Sequence, residues 1–375
     1  MHSRAGKLRG VIGMQKSLIR TAACLLAAVL LTQCVFAAPE TSAQSAILTD
    51  ADTGDILYEH NAYEPSLIAS TTKIMTALLA LENCALQREF VIPPEAVGVE
   101  GSSLYLKEGE RLTVEALLYG MMLHSGNDAA VALAICCGGS VERFVAMMNE
   151  KAESLGLTQT SFANPNGLDS AENYSTAADL AKLTAYALQN DDFVRIVSKK
   201  SITIGGRSLT NHNRLLWQAE GILGVKTGYT RAAGRILVSA AERKGRRLIA
   251  VTIRDGDDWR DHTALFDFGF SRYEMQTAIH AGEAVGAVGL MTGGAARLVA
   301  AEAFSFAGAD ALCVEIRYPK AAFCAGETGS EAGWADVYLG QRRVGTIRLL
   351  WGGTELEGTN TENHCRARLD VPSGG

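Results

Sequence analysis

The sequence predicts an α+β fold followed by a small all-β module. Three observations carry that expectation. Two short apolar runs flank a turn near the start, a block of helix-period segments follows, and strand-like runs from Gly221 to Ile253 end in another helix. Beyond about Arg272 the composition shifts to short Gly, Ala and Val runs, the pattern of small antiparallel strands. A chain of 375 residues is long enough for two such units with a substantial core.

Taken in order, residues 1–37 read as a signal peptide. Arg4, Lys7, Arg9, Lys16 and Arg20 precede an apolar run from Ala22 to Leu31, and Val35-Phe36-Ala37 suits cleavage before Ala38. The apolar run is shorter than the ~20 residues that span a bilayer. Ala46–Asp50 and Asp55–Glu59 around Asp52-Thr53-Gly54 read as a β-hairpin. Ser70–Leu81 reads as a helix buried on most sides, since Ile74, Met75, Leu78, Leu79 and Leu81 cover nearly its whole circumference. Further helices are expected at Val114–Met122, Asp128–Cys137, Val141–Leu155 and Thr176–Leu188. Strands are expected at Gly221–Gly228, Gly234–Ala241 and Arg247–Ile253, with Lys244-Gly245 as a hairpin turn, then a helix at Thr263–Phe270. Short strands should follow at 284–288, 312–316, 335–339 and 343–349, and the polar stretch from Thr354 is expected to be disordered. The division is therefore 1–37 signal, 38–273 principal domain, 274–353 β module and 354–375 tail.

Composition narrows the function. Of 35 basic and 41 acidic residues, the leader takes five bases and no acid, so the exported chain would carry a charge of about −11. Such a surface argues against a phosphate-backbone partner, so no nucleic acid is expected. The six cysteines beyond the leader lack zinc-type C-x-x-C spacing, so no metal or cofactor is expected. Export permits disulfides, with Cys313–Cys324 the first pair to consider, while buried free thiols are the equal alternative; Cys136-Cys137 reads as helix core.

Three triplets carry chemistry. Ser70-Thr71-Thr72-Lys73 puts a hydroxyl and an amine one helical turn apart. Lysine can serve as base only if its pKa falls towards neutrality, which burial and a neighbouring cation such as Lys226 would achieve. If Ser70 begins its helix, its free N–H can help stabilise an oxyanion. Ser125-Gly126-Asn127, between two helices, suits a proton relay at Ser125 and an amide at Asn127 that holds a substrate amide. Lys226-Thr227-Gly228, at a strand edge, offers a cation and a hydroxyl to a carboxylate, and Gly228 lets an extended ligand approach the backbone. Each triplet alone would be read as a helix cap, a connector or a turn. Together and in this order they point to a serine enzyme with a lysine base.

These residues, with the runs Ile68–Ala77, Met122–Ala130, Phe162–Leu168 and Gly224–Thr230, resemble the penicillin-binding D-alanyl-D-alanine carboxypeptidases. These are low-molecular-mass serine enzymes of the transpeptidase/β-lactamase-like fold, and the resemblance spans about Ala46 to Tyr273. It implies that Ser70 is the acylated nucleophile, Lys73 its base, and Ser125 and Lys226 relay and electrostatic partners. It further implies that Asn127 and Thr227 anchor substrate and that the N–H groups of Ser70 and Tyr229 form the oxyanion hole. The implied reaction releases the terminal D-Ala of a peptidoglycan stem pentapeptide through a Ser70 acyl-enzyme, with β-lactams as covalent inhibitors, outside the cytoplasmic membrane of a bacterium. Rival readings are a D,D-endopeptidase or a β-lactamase on the same fold, or an inactive cell-wall-binding protein. The Ser-Gly-Asn form of the second motif leans away from class A β-lactamases, and an intact Ser70-Lys73-Lys226 set leans away from a mere binder. The family's usual C-terminal amphipathic anchor has no counterpart in Thr354–Gly375, which shows no apolar face, so attachment to the membrane is left open.

Overall fold

The computed structural model describes residues 38–243, 245–272, 275–307, 314–317, 321–322, 324–339 and 342–355. The leader, Cys313, Cys365 and residues 356–375 lie outside these, and with them the expectations of a signal peptide, a Cys313–Cys324 bridge and a disordered tail. Thr354 and Glu355, assigned to the tail from sequence, continue the last strand.

An antiparallel sheet joins the two ends of the principal unit. Strands β1 (Ser45–Asp50), β2 (Ile56–His60), β3 (Ile222–Thr230), β4 (Gly234–Arg243) and β5 (Arg246–Ile253) lie in the order β2-β1-β5-β4-β3. The first hairpin thus pairs with β5 some two hundred residues on, with Ile47 opposite Val251. Side chains alternate between two cores, as the period of a strand requires. Ile47, Ile249 and Val251 face the helical block, and Leu48, Leu248 and Ala250 face Leu265 and Phe266 of the closing helix. Because β1 is covered on both sides, all six of its residues are buried. Asp50 and Arg246 are tied at 3.1 Å inside this sheet, with both side chains 4% exposed.

The helices of seven or more described residues are α1 (Lys73–Asn83), α2 (Val114–Leu123), α3 (Asn127–Gly138), α4 (Val141–Ser154), α5 (Ala177–Ala187), α6 (Asp191–Val197) and α7 (Asp258–Arg272). Side-chain oxygens of Thr113, Ser140, Thr176 and Asn190 accept backbone N–H bonds at the starts of α2, α4, α5 and α6, so four of the helix starts have an explicit cap. Gly139, at φ 82°, ends α3. Two boundaries differ from expectation. Helix α7 starts at Asp258, five residues earlier than its apolar stripe, because Asp258 and Asp261 suit a helix N-terminus. Helix α1 starts at Lys73 and not at Ser70, because Ala69 has φ 45° and opens a separate 3-10 turn over Ala69–Thr72. Helix α6 and the hairpin of Ser201–Ile204 with Arg207–Thr210 were not anticipated.

Six of the C-terminal strands form one sheet, and Met275–Ile279 pairs with Phe304–Ala307 in a separate two-stranded ribbon. The order in the six-stranded sheet is Val314–Arg317, Glu331–Leu339, Arg342–Glu355, Ala295–Ala300, Ala284–Leu290, Ala321–Ala322. A separate core of Val288, Leu298, Val337, Ile347 and Leu349 supports it. Among the described residues no single helix is long and apolar enough to cross a membrane.

Candidate active site

Three parts of the chain converge at the N-terminal end of α1. The 3-10 turn presents Ser70, half-buried, while Lys73 directly behind it is fully buried. Lys73 Nζ lies 2.9 Å from Ser70 Oγ and donates to Asn127 Oδ1 at 2.7 Å and to the Asn166 carbonyl. Burial comes first, and the nearby Lys226 ammonium second, in holding the Lys73 amine well below its ordinary pKa; Asp128 opposes them. A neutral amine has two N–H bonds and one lone pair. Asn127 Oδ1 and Asn166 O take the two hydrogens, which leaves the lone pair facing the Ser70 hydroxyl. The surroundings therefore suit the deprotonated, proton-accepting form.

Asn127 opens α3 and is committed at both ends. Its Oδ1 receives Lys73, and its Nδ2 donates to Glu100 O at 2.6 Å. The sequence reading made it a substrate anchor; the structure adds that it fixes the lysine. Asp128, fully buried, accepts from Ser103 Oγ and from the amides of Leu104 and Leu106, so the 103–106 loop is pinned beside the site. Ser125, buried, precedes Asn127 with φ 64°. Among the described residues five non-glycine positions have positive φ, and three of them, Ala69, Tyr105 and Ser125, lie in the segments that build this site. Such backbone costs of order 1 kcal/mol each and persists only where packing imposes it.

Strand β3 is the edge of its sheet and packs its free side against the serine turn. A Cβ on Gly228 would stand 3.3 Å from Ser70 N, so the missing side chain keeps room open next to that amide. Lys226 is buried, donates to Thr227 O at 2.8 Å and is pushed down to about 7 by burial. Thr227 is half-buried and Tyr229 is exposed. The structure thus brings Ser70, Lys73, Asn127, Lys226 and Gly228 to one place, with Ser125, Thr227 and Tyr229 as their chain neighbours.

Sequence reasoning singled out the 162–168 run only as a resemblance and gave it no role. Its backbone closes the site from below. Asn166 O holds Lys73 and Pro165 O accepts from Thr76 Oγ1 at 2.6 Å; beyond the run, the Asn173 side chain adds a bond from its Nδ2 to Thr72 Oγ1 at 3.1 Å. Thr230 Oγ1 donates to Asp169 Oδ1 at 2.8 Å, so the same loop also grips the end of β3. Two histidines lie near. His124 and His212 have ring centroids 5.1 Å apart, and desolvation, with Lys226 and His124, pushes His212 down to about 4.

A serine backed by a buried lysine, on a helical turn facing a Lys-Thr-Gly edge strand, places the molecule among the penicillin-recognising serine enzymes. Comparison with known sequences narrows this: the family model described as D-alanyl-D-alanine carboxypeptidase, peptidase S11, matches residues 32–256, and the chain belongs to that family. Among relatives, the Bacillus subtilis D-alanyl-D-alanine carboxypeptidase DacF is 38% identical over 250 residues, 62% of this chain and 63% of its own length. The Mycobacterium tuberculosis carboxypeptidase DacB2 is 36% identical over 62% of this chain and 84% of its own. The chain therefore aligns with slightly less than two thirds of the Bacillus relative. Among solved structures, penicillin-binding protein 5 from Haemophilus influenzae superposes with TM-score 0.65 at 28% identity, over 84% of this chain and 98% of its own. Penicillin-binding protein D2 from Listeria monocytogenes, in an ampicillin-bound form, gives 0.57 at 31% identity over 62% of this chain and all of its own.

Proposed function

We propose that this protein is an exported serine D-alanyl-D-alanine carboxypeptidase that trims the terminal D-Ala from peptidoglycan stem pentapeptides and is acylated by β-lactams. The observation that carries the reading is the Ser70–Lys73 contact of 2.9 Å with a fully buried lysine. Lys73, neutral, takes the Ser70 proton as Oγ attacks the penultimate D-Ala carbonyl. The oxyanion is received by the N–H groups of Ser70 and Tyr229, a placement supported by the open space that Gly228 leaves beside Ser70 N. The proton passes through Ser125 to the departing D-Ala amine, and water then hydrolyses the acyl-enzyme. Lys226 and Thr227 bind the terminal carboxylate; Asn127 steadies Lys73 and the substrate amide.

The division into 38–273 and 274–353 belongs to the same proposal. Support comes from separate cores in the two sheets and from the Haemophilus structure, whose aligned span exceeds the first segment. Export rests on the leader's pattern of charge and apolar residues. Neither a β-lactamase nor an inactive binder is favoured by the relatives' names. The test of substrate class compares a peptide ending in D-Ala-D-Ala with a cross-linked muropeptide dimer. Release of free D-Ala from the first and no cleavage of the second is expected; preferential cleavage of the dimer would make the protein an endopeptidase.

A further inference from the structure

Helices α1 and α3 meet at both ends. At their N-terminal ends Lys73 Nζ and Asn127 Oδ1 are 2.7 Å apart. Near their C-terminal ends stand Cys84, which caps α1, and Cys136-Cys137 in the last turn of α3. The three sulfurs lie within 4.8 Å of one another, although Cys84 is some fifty residues away in sequence. Cys84 and Cys136 are buried, whereas Cys137 is partly exposed. We propose that this cluster is a disulfide site, in which Cys84 bridges to the Cys136-Cys137 pair and staples α1 to α3 opposite the candidate active site.

A bond within the vicinal pair is excluded by its backbone. Both residues lie inside a regular α-helix, and closing the small ring between neighbours would distort the peptide between them. Any bridge in the cluster must therefore use Cys84. A metal is the competing occupant, and the donor set suits it less. A closed structural zinc site takes four ligands, and among the described residues the cluster holds only three, all thiols. Three thiolates would also place concentrated negative charge in a largely apolar interior, with Arg88 Nη1, 4.0 Å from Cys84 Sγ, as a nearby cation. A disulfide removes the thiol protons and leaves no charge.

The chemistry balances with an external disulfide as oxidant. Cys137, the least buried residue of the three, attacks one sulfur of that disulfide and displaces the first small thiol. Cys84 then attacks the mixed disulfide, directly or after its transfer to Cys136, and displaces the second. The protein loses two protons and two electrons, and the external disulfide becomes two thiols. The inference does not depend on the proposed function.

The test uses the full chain. Incubate it with oxidised glutathione, block free thiols with N-ethylmaleimide in denaturant, digest, and map cross-linked peptides. The Cys84 peptide joined to the peptide carrying Cys136 and Cys137 is expected, with one thiol of the three alkylated. The melting temperature of the oxidised protein should fall by about 5–10 °C on reduction, as for a bridge closing a long loop. C84S and C84A should lose that redox dependence, and C137S should oxidise at least about tenfold more slowly. Alkylation of all three thiols, a bridge within Cys136-Cys137, a persistent glutathione adduct, or a native mass increased by bound zinc or copper with all thiols unlinked would each overturn the proposal.

Discussion

Gly167→Ala tests how the 164–169 loop supports the serine turn. Gly167 has φ +86°, and an added Cβ would lie 1.9 Å from the carbonyl oxygen of Ala69 and 2.9 Å from Ser70 N. Left-handed backbone costs alanine about 1–2 kcal/mol. The steric overlap is the larger matter, because real side-chain carbons stay beyond 3.0 Å and the shortfall at Ala69 O is roughly 1 Å. Little can yield. Asn164 Oδ1 accepts from the Gly167 amide at 2.7 Å, Asn164 Nδ2 donates to Leu168 O at 2.9 Å, and Asn166 O is bound to Lys73. The serine turn must move instead, and a displacement of about 1 Å at a reacting group costs on the order of 100-fold in rate. The assay is the second-order rate constant for acylation by a fluorescent penicillin, alongside the melting temperature. Gly54→Ala is the control, since Gly54 also has positive φ, at +75°, but has open space around its missing Cβ. It should lose stability through backbone strain and keep its acylation rate. A Gly167→Ala protein that acylates within about threefold of wild type would refute the reasoning.

Three further outcomes follow from buried titratable side chains. Lys73→Met should lower acylation by at least about 1000-fold while leaving the fold intact, checked by circular dichroism, because the base is lost and the apolar surroundings accept the new side chain. Lys226 sits at about 7, so kcat/KM for a carboxylate-ended peptide should decline above roughly neutral pH as the cation is lost; a profile flat to pH 9 would contradict this. His262, fully buried beside Thr252, is pushed down to about 3 by burial, so it stays neutral in the fold but protonates near 6.5 once unfolded. The unfolded chain then binds the extra proton, and the contribution present above pH 6.5 is lost by up to about 1.4 kcal/mol per pH unit as pH falls towards 3. His262→Gln should flatten that slope in chemical denaturation.

Much of the site was legible because its chemistry is written in short local patterns. Ser70 and Lys73 are one turn apart whatever the long-range fold, and an apolar helix around a lysine already signals burial. The strand–helices–strands order also indicated the sheet, since β1 and β5 each carry apolar residues on both faces. What the sequence hid is non-local or carried by backbone. No side-chain pattern announces that the Asn166 carbonyl holds Lys73, or that Pro165 O receives Thr76. The start of α1 was misplaced because Ala69 adopts positive φ under packing pressure, against its own preference. The thiol cluster was missed for a related reason: Cys84 and Cys136 meet through helix packing, and nothing near either residue records the other.

The most direct measurement concerns Ser70 itself. The protein is incubated with a penicillin, quenched in acid, digested and read by tandem mass spectrometry. The account predicts one penicilloyl adduct, on the Oγ of Ser70 in the peptide that also contains Lys73 before cleavage, and none in Ser70→Ala. An adduct on another residue, or an unmodified Ser70 after prolonged exposure to the drug, would contradict it.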